Sequence, residues 1–195
     1  MHRLIILALL TAACAKPPPV VVAPMDKGLQ HPDLQCPEGT IGKGAPPPAG
    51  MEIFCARVDP SGNTIRQGTA IGWHSASRRA YRGAYAGGKK AGKWTYWHTS
   101  GAPEREGSYS AGEKDGAWVM YHPNGNKKSE GSFVAGREEG PWVFWSEDQE
   151  QVSRGTYKAG GRDGKWMDFD ASDTPIRERN YRGGRLVSQK ELAKK

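Results

Sequence analysis

Three histidines, His74, His98 and His122, recur at 24-residue intervals, each directly after an aromatic residue. A row of imidazoles could bind metal or move protons. If each interval is one two-stranded unit, equivalent residues lie about 9–10 Å apart. A zinc ion needs its ligands at about 2.0–2.1 Å, so neighbouring histidines cannot share one. They read as structural residues near strand ends, and no metal site is expected. The chain also lacks a glycine-rich phosphate loop, a nucleophile motif or a carboxylate pair that stands apart from the repetition. An active site is a single asymmetric constellation, whereas polar residues here mostly fall in turns. The expectation is a non-enzymatic protein without a cofactor.

Two aromatic rows share the interval. Trp94, Trp118, Trp142 and Trp166 are each 24 residues apart, and Trp97, Tyr121, Trp145 and Phe169 follow three residues behind them. The first row reads as a continuous apolar spine between units. An odd offset in a regular strand puts the second row on the other face, unless a bulge intervenes. Exposed aromatics in a line mark a binding surface, so the second row is the candidate recognition site.

The elements that must position these rows are short strands. Gly68, Gly92, Gly116, Gly140 and Gly164 keep the interval, as do Gly88, Gly112, Gly136, Gly160 and Gly184, and the aromatics Tyr85, Tyr109, Phe133, Tyr157 and Tyr181. Aromatic and β-branched stretches alternate with turn clusters, the hairpin signature, and no helical period is sustained. Gly112-Glu113-Lys114-Asp115-Gly116 reads as one turn and Pro123-Asn124-Gly125 as the next. A hairpin is too small to stand alone and must pack its rings on the next one. The fold class is therefore all-β, an elongated single-layer antiparallel sheet of tandem hairpin repeats.

The pattern carried by Gly107, Tyr109, Gly112, Gly116, Trp118 and Tyr121 resembles the MORN repeat, specifically the bacterial variant of YwqK-type antitoxin-like proteins. The resemblance runs from about Gly68 to Gly184. It implies hairpins laid side by side in a long twisted sheet and work as a scaffold or interaction platform. Two units depart from the pattern: the first has Ala70 where later ones have Trp, and the third has Glu147-Asp148-Gln149 in place of Pro-Asn-Gly. Irregular turns are expected there.

The chain begins Met1-His2-Arg3, followed by the apolar run Leu4 to Leu10, which is an export signal over residues 1–13. The run falls short of the roughly 20 residues a membrane span needs. Leu10-Thr11-Ala12-Ala13-Cys14 resembles a lipobox, with Cys14 as the lipidated residue; a secretory cut after Ala15 is the alternative. Residues 14–35 then form a Pro-rich tether. Cys36 and Cys55 remain as an even pair in an exported chain and read as a disulfide closing a cap over residues 36–67. The repeat array occupies residues 68–187, and residues 188–195 are a charged tail that blunts the last sheet edge.

Leu, Ile and Val are sparse beyond the signal, while Gly (26) and Trp (7) are plentiful and mean hydropathy is −0.72, so rings rather than aliphatics must fill the interior. The net charge of +7 is spread over interleaved acids and bases, as in Arg137-Glu138-Glu139, which argues against nucleic acid. The composite expectation is an envelope lipoprotein, anchored by lipid at the outer membrane, that docks an unidentified envelope protein. The alternatives are a secreted or periplasmic soluble protein, a binder of envelope polymer or anionic lipid, and an immunity protein.

Overall fold

The computed structural model describes residues 28–192, and every regular element within them is a β-strand. The signal segment, Cys14, most of the tether and the last three residues of the tail lie outside the described residues. Three strands lead: β1 (Ile41–Ala45), β2 (Glu52–Val58) and β3 (Thr64–Ser75). Five hairpins follow: β4 (Arg78–Ala86) with β5 (Lys89–Trp97), β6 (Pro103–Ser110) with β7 (Glu113–Tyr121), β8 (Lys127–Val134) with β9 (Arg137–Trp145), β10 (Gln151–Lys158) with β11 (Gly161–Phe169), and β12 (Pro175–Arg182) with β13 (Arg185–Glu191). All 13 strands pair antiparallel in chain order as one open sheet. At strand spacing the sheet is about 60 Å across. The expected fold class is the observed one.

Cys36 and Cys55 are joined. The bridge ties the lead-in segment to β2, where Cys55 is fully buried, and Pro37 lies against Gly68 of β3. Leu29 N–H donates to the Gly42 carbonyl at 2.9 Å, so the lead-in also occupies part of the outer edge of β1. The segment read as a cap supplies β1, β2 and the start of β3 to the common sheet, with β3 running unbroken across residues 67 and 68. Residues 188–191, read as tail, lie in β13.

The first turn of each unit differs from its sequence reading. The reversal is not Gly112 to Gly116 but the two residues Ala111-Gly112, both at positive φ (51° and 95°), with Ser110 paired to Glu113. Two positive φ values give the reversal the twist that flanking strands need. Gly116, at φ 75°, instead sits inside β7, where the register against β6 shifts between Gly107 and Ser108 while pairing to β8 runs in register from Gly116 to Met120. The Ala-Gly reversal recurs at Ala135-Gly136 and Ala159-Gly160, whereas the first and last hairpins use Gly87-Gly88 and Gly183-Gly184. An alanine in the left-handed region carries roughly 1 kcal/mol of strain. Ala135→Gly is therefore expected to stabilise the protein slightly, by up to about 0.5 kcal/mol, net of the greater freedom of glycine in the unfolded chain. A denaturant titration that finds a loss would contradict this account.

The second turn also corrects an expectation. The third unit is regular: Ser146 N–H donates to Glu150 and Gln149 N–H to Ser146, the same bonds His122 and Gly125 make one unit earlier. Gln149 takes the left-handed position at φ 69°, where that unit has Gly125 at 89°. Asp173 does the same in the next turn at 57°. The first unit is the irregular one, with Ser75 paired to Arg78 across a tighter reversal.

Candidate binding surface

Trp94, Trp118, Trp142 and Trp166 are buried on one face of the sheet, 0–3% exposed. A single layer can bury so large a ring because the strand before it provides a bed without side chains. Gly83, Gly107, Gly131 and Gly155 lie directly beneath the four indoles; an added Cβ would fall 2.1–2.3 Å from the nearest ring carbon. Each indole N–H donates to a carbonyl ten residues earlier, those of Ala84, Ser108, Ser132 and Thr156, at 3.0–3.3 Å. Between successive tryptophans stand Tyr109, Phe133 and Tyr157, with Tyr85 and Tyr181 at the ends. Each but Tyr181 meets the tryptophan of its own hairpin edge-to-face at 5.1–5.3 Å and 86–90°, and all but Tyr85 meet the preceding one at 5.7–6.3 Å and 72–76°. This edge-to-face geometry is the preferred one for aromatic quadrupoles.

A cationic row covers the spine. Lys90 Nζ lies 4.5 Å from the Trp94 ring centre and 5.1 Å from that of Tyr109; Lys114 lies 4.7 Å from Trp118 and 4.5 Å from Phe133. Arg162 covers Trp166 and Tyr181 at 4.3 and 5.5 Å, and Arg66 covers Phe54 and Tyr85 at 4.3 and 5.1 Å. Burial, helped by Arg105, holds both lysine ammonium groups below their usual range. The favourable part of the contact is then the aliphatic stem, with the charge retained at some cost. Lys114→Met, which keeps a stem over the rings, is expected to leave thermal stability nearly unchanged. Lys114→Ala is expected to lose about 1 kcal/mol through exposed ring surface. Equal losses in calorimetry would reverse the assignment.

The glycine bed, of which only Gly107 enters the repeat pattern above, and the cation row are both available as signals in the sequence. Gly83, Gly107, Gly131 and Gly155 keep the 24-residue interval, and Arg66, Lys90, Lys114 and Arg162 keep it with one break, at Glu138.

The spine ends at the last hairpin. Arg179 replaces the bedding glycine, paired across β11 with Trp166, and it binds the buried Asp168 carboxylate while Arg177 stands 3.8 Å away.

The histidines do repeat-to-repeat joining. Nε2 of His74, His98 and His122 lies 2.7, 3.2 and 2.9 Å from the carbonyl oxygens of Trp97, Tyr121 and Trp145, each in the next unit, and so donates to them. Among the described residues no group of three or more His, Cys, Asp or Glu is arranged to hold a metal.

The second aromatic row lies on the face opposite the spine, along the edge formed by the longer turns. The Tyr121 hydroxyl donates to Glu106 at 3.2 Å, and Lys93 holds the same carboxylate at 2.8 Å. These partners, Lys93 first, hold Glu106 below the usual carboxylate range. The row is not uniform. Phe169 is buried at 9% exposure, with the Arg154 guanidinium 4.8 Å from its ring centre, so it is not an open contact surface. Trp97, Tyr121 and Trp145 are half-buried. Trp97 walls a shallow cavity of about 400 Å³ with Ser77, Arg78, Arg79 and Gly101. Trp145 stands between two: a small one shared with Lys127 and Gln149, and a larger one of about 570 Å³ that reaches the next turn.

The cavities at Trp97 and Trp145 are open and shallow, so the arrangement offers a ruled surface with aromatic steps. A search of the curated proteins finds no match to the chain. The family described as MORN repeat variant matches residues 114–135, a stretch that runs from Lys114 of β7 through β8 to the Ala135 turn and holds the spine residue Trp118 and its cross-strand partner Gly131, the bed of Trp142. The chain therefore carries a MORN repeat variant at residues 114–135, flanked by hairpins built on the same glycine, tryptophan and tyrosine positions.

Proposed function

We propose that the chain is a non-enzymatic scaffold of the bacterial envelope, tethered by lipid on Cys14, whose sheet docks another protein through Trp97, Tyr121 and Trp145. MORN repeats are generally protein- or membrane-interaction repeats, which fits a scaffold. The observation that carries the reading is the division of labour between the faces. One face is closed by its own rings and cations; the other keeps half-buried aromatics beside open, shallow cavities. Aromatics in that setting act as anchors for a partner surface. Nothing in the spine requires them.

Two experiments test it. Palmitate labelling of the chain, with Cys14→Ser as control, is expected to label only the wild type; label that persists in the variant removes the anchor. Crosslinking in the native envelope is expected to capture a partner that Trp97→Ala and Trp145→Ala lose while retaining the wild-type unfolding temperature. Capture that is indifferent to both substitutions removes the docking surface.

A further inference from the structure

The larger cavity at Trp145 differs from the rest of the row in its charge. Its walls are Trp145, Gln149, Glu150, Gln151, Ala171, Ser172 and Asp173, with no lysine or arginine among them. At three other places on this face the chain supplies its own cation. Lys127 lies 5.1 Å from the centre of the Trp145 ring on the smaller-cavity side, Arg154 covers Phe169, and Arg78 and Arg79 wall the cavity at Trp97. The larger cavity has the complementary groups and lacks the cation: among the described residues neither Glu150 nor Asp173 has an ion-pair partner.

The geometry points to this cavity as the seat of a basic segment of a partner protein, with an arginine or lysine side chain laid against the open face of Trp145 between Glu150 and Asp173. A guanidinium gains from the ring face and from both carboxylates. The two turns that make the cavity also carry Glu147, Asp148 and Asp170 in sequence and no lysine or arginine, so this end of the turn edge is acidic although the chain as a whole carries +7. That local sign disfavours phosphate headgroups here. The inference rests on the docking surface proposed above and names the chemistry of what docks.

The test is fluorescence anisotropy of a labelled oligo-arginine peptide titrated with the full chain at physiological ionic strength, with oligo-glutamate of equal length as comparison. A protein of net charge +7 should repel the first and attract the second unless a local site decides otherwise. The expected result is saturable binding of oligo-arginine, weakened at least tenfold by Trp145→Ala and by Glu150→Gln with Asp173→Asn, and changed less than twofold by Trp97→Ala. Asparagine tolerates the left-handed backbone of Asp173, so the double variant should keep its unfolding temperature. No binding by the wild type, or binding indifferent to the carboxylate substitutions, overturns the proposal. If envelope capture is still lost on Trp145→Ala while oligo-arginine does not bind, docking stands and the basic partner is wrong. Weakening by Trp145→Ala alone, without charge dependence, would indicate a neutral ligand stacked on the ring and also overturns it.

Discussion

Trp118→Ala is expected to destabilise the protein by about 3–5 kcal/mol, the range for removing a fully buried aromatic. The indole is 1% exposed, bonded through its N–H to the Ser108 carbonyl at 3.0 Å, and flanked by Tyr109 at 5.2 Å and Phe133 at 6.0 Å. Its loss leaves a carbonyl without its donor, two rings without their edge contact, and Lys114 over an empty bed. The consequence should reach beyond one hairpin, because each rung touches only its neighbours and coupling along the array runs through this chain of rings. Thermal unfolding of the variant is therefore expected to split into two transitions, one for each side of the gap. Trp166→Ala, near the end of the spine, should lose comparable energy with the remaining rungs still melting together. A loss under about 1 kcal/mol, or a single unbroadened transition for Trp118→Ala, would mean that the spine does not carry the coupling.

The architecture was legible because its determinants are periodic: rings and glycines at one interval specify a unit, and a unit too small to fold alone specifies stacking. What escaped was whatever depends on two units meeting. The Ala111-Gly112 reversal is invisible in composition, since alanine does not announce a positive φ; the glycine at residue 116 drew the turn toward itself when its role was to carry the bulge in β7. Gln149 was read as breaking a turn that the surrounding hydrogen bonds impose on it. The offset of the second aromatic row did give its face, yet burial of Phe169 follows from Arg154, 15 residues earlier on the neighbouring strand, a contact no local pattern reveals. The Trp145 cavity is made by two consecutive turns whose side chains become neighbours only once the hairpins stack.

Gly131→Ala is expected to cost about 3 kcal/mol, the upper part of the range for adding a methyl group to a filled interior. The added Cβ would stand 2.2 Å from two carbons of the Trp142 indole, closer than any real contact, so the ring must move. It has little room to do so. Its N–H is bonded to the Ser132 carbonyl, Phe133 stands edge-on at 5.3 Å, and Tyr157 closes the other side at 5.7 Å. Gly116→Ala separates this cause from backbone strain. Gly116 has positive φ and no atom within 4 Å of an added Cβ, so its cost is conformational alone, about 1 kcal/mol. At Gly131 the balance is reversed, because its backbone is ordinary and its space is full. A double variant, Gly131→Ala with Trp142→Ala, should lose less than the two single losses together, since the methyl group no longer meets a ring. Strict additivity between the two positions, or a Gly131→Ala cost no larger than that of Gly116→Ala, would show that the indole is not seated on the glycine, and the explanation of how one layer of sheet buries its tryptophans would fail with it.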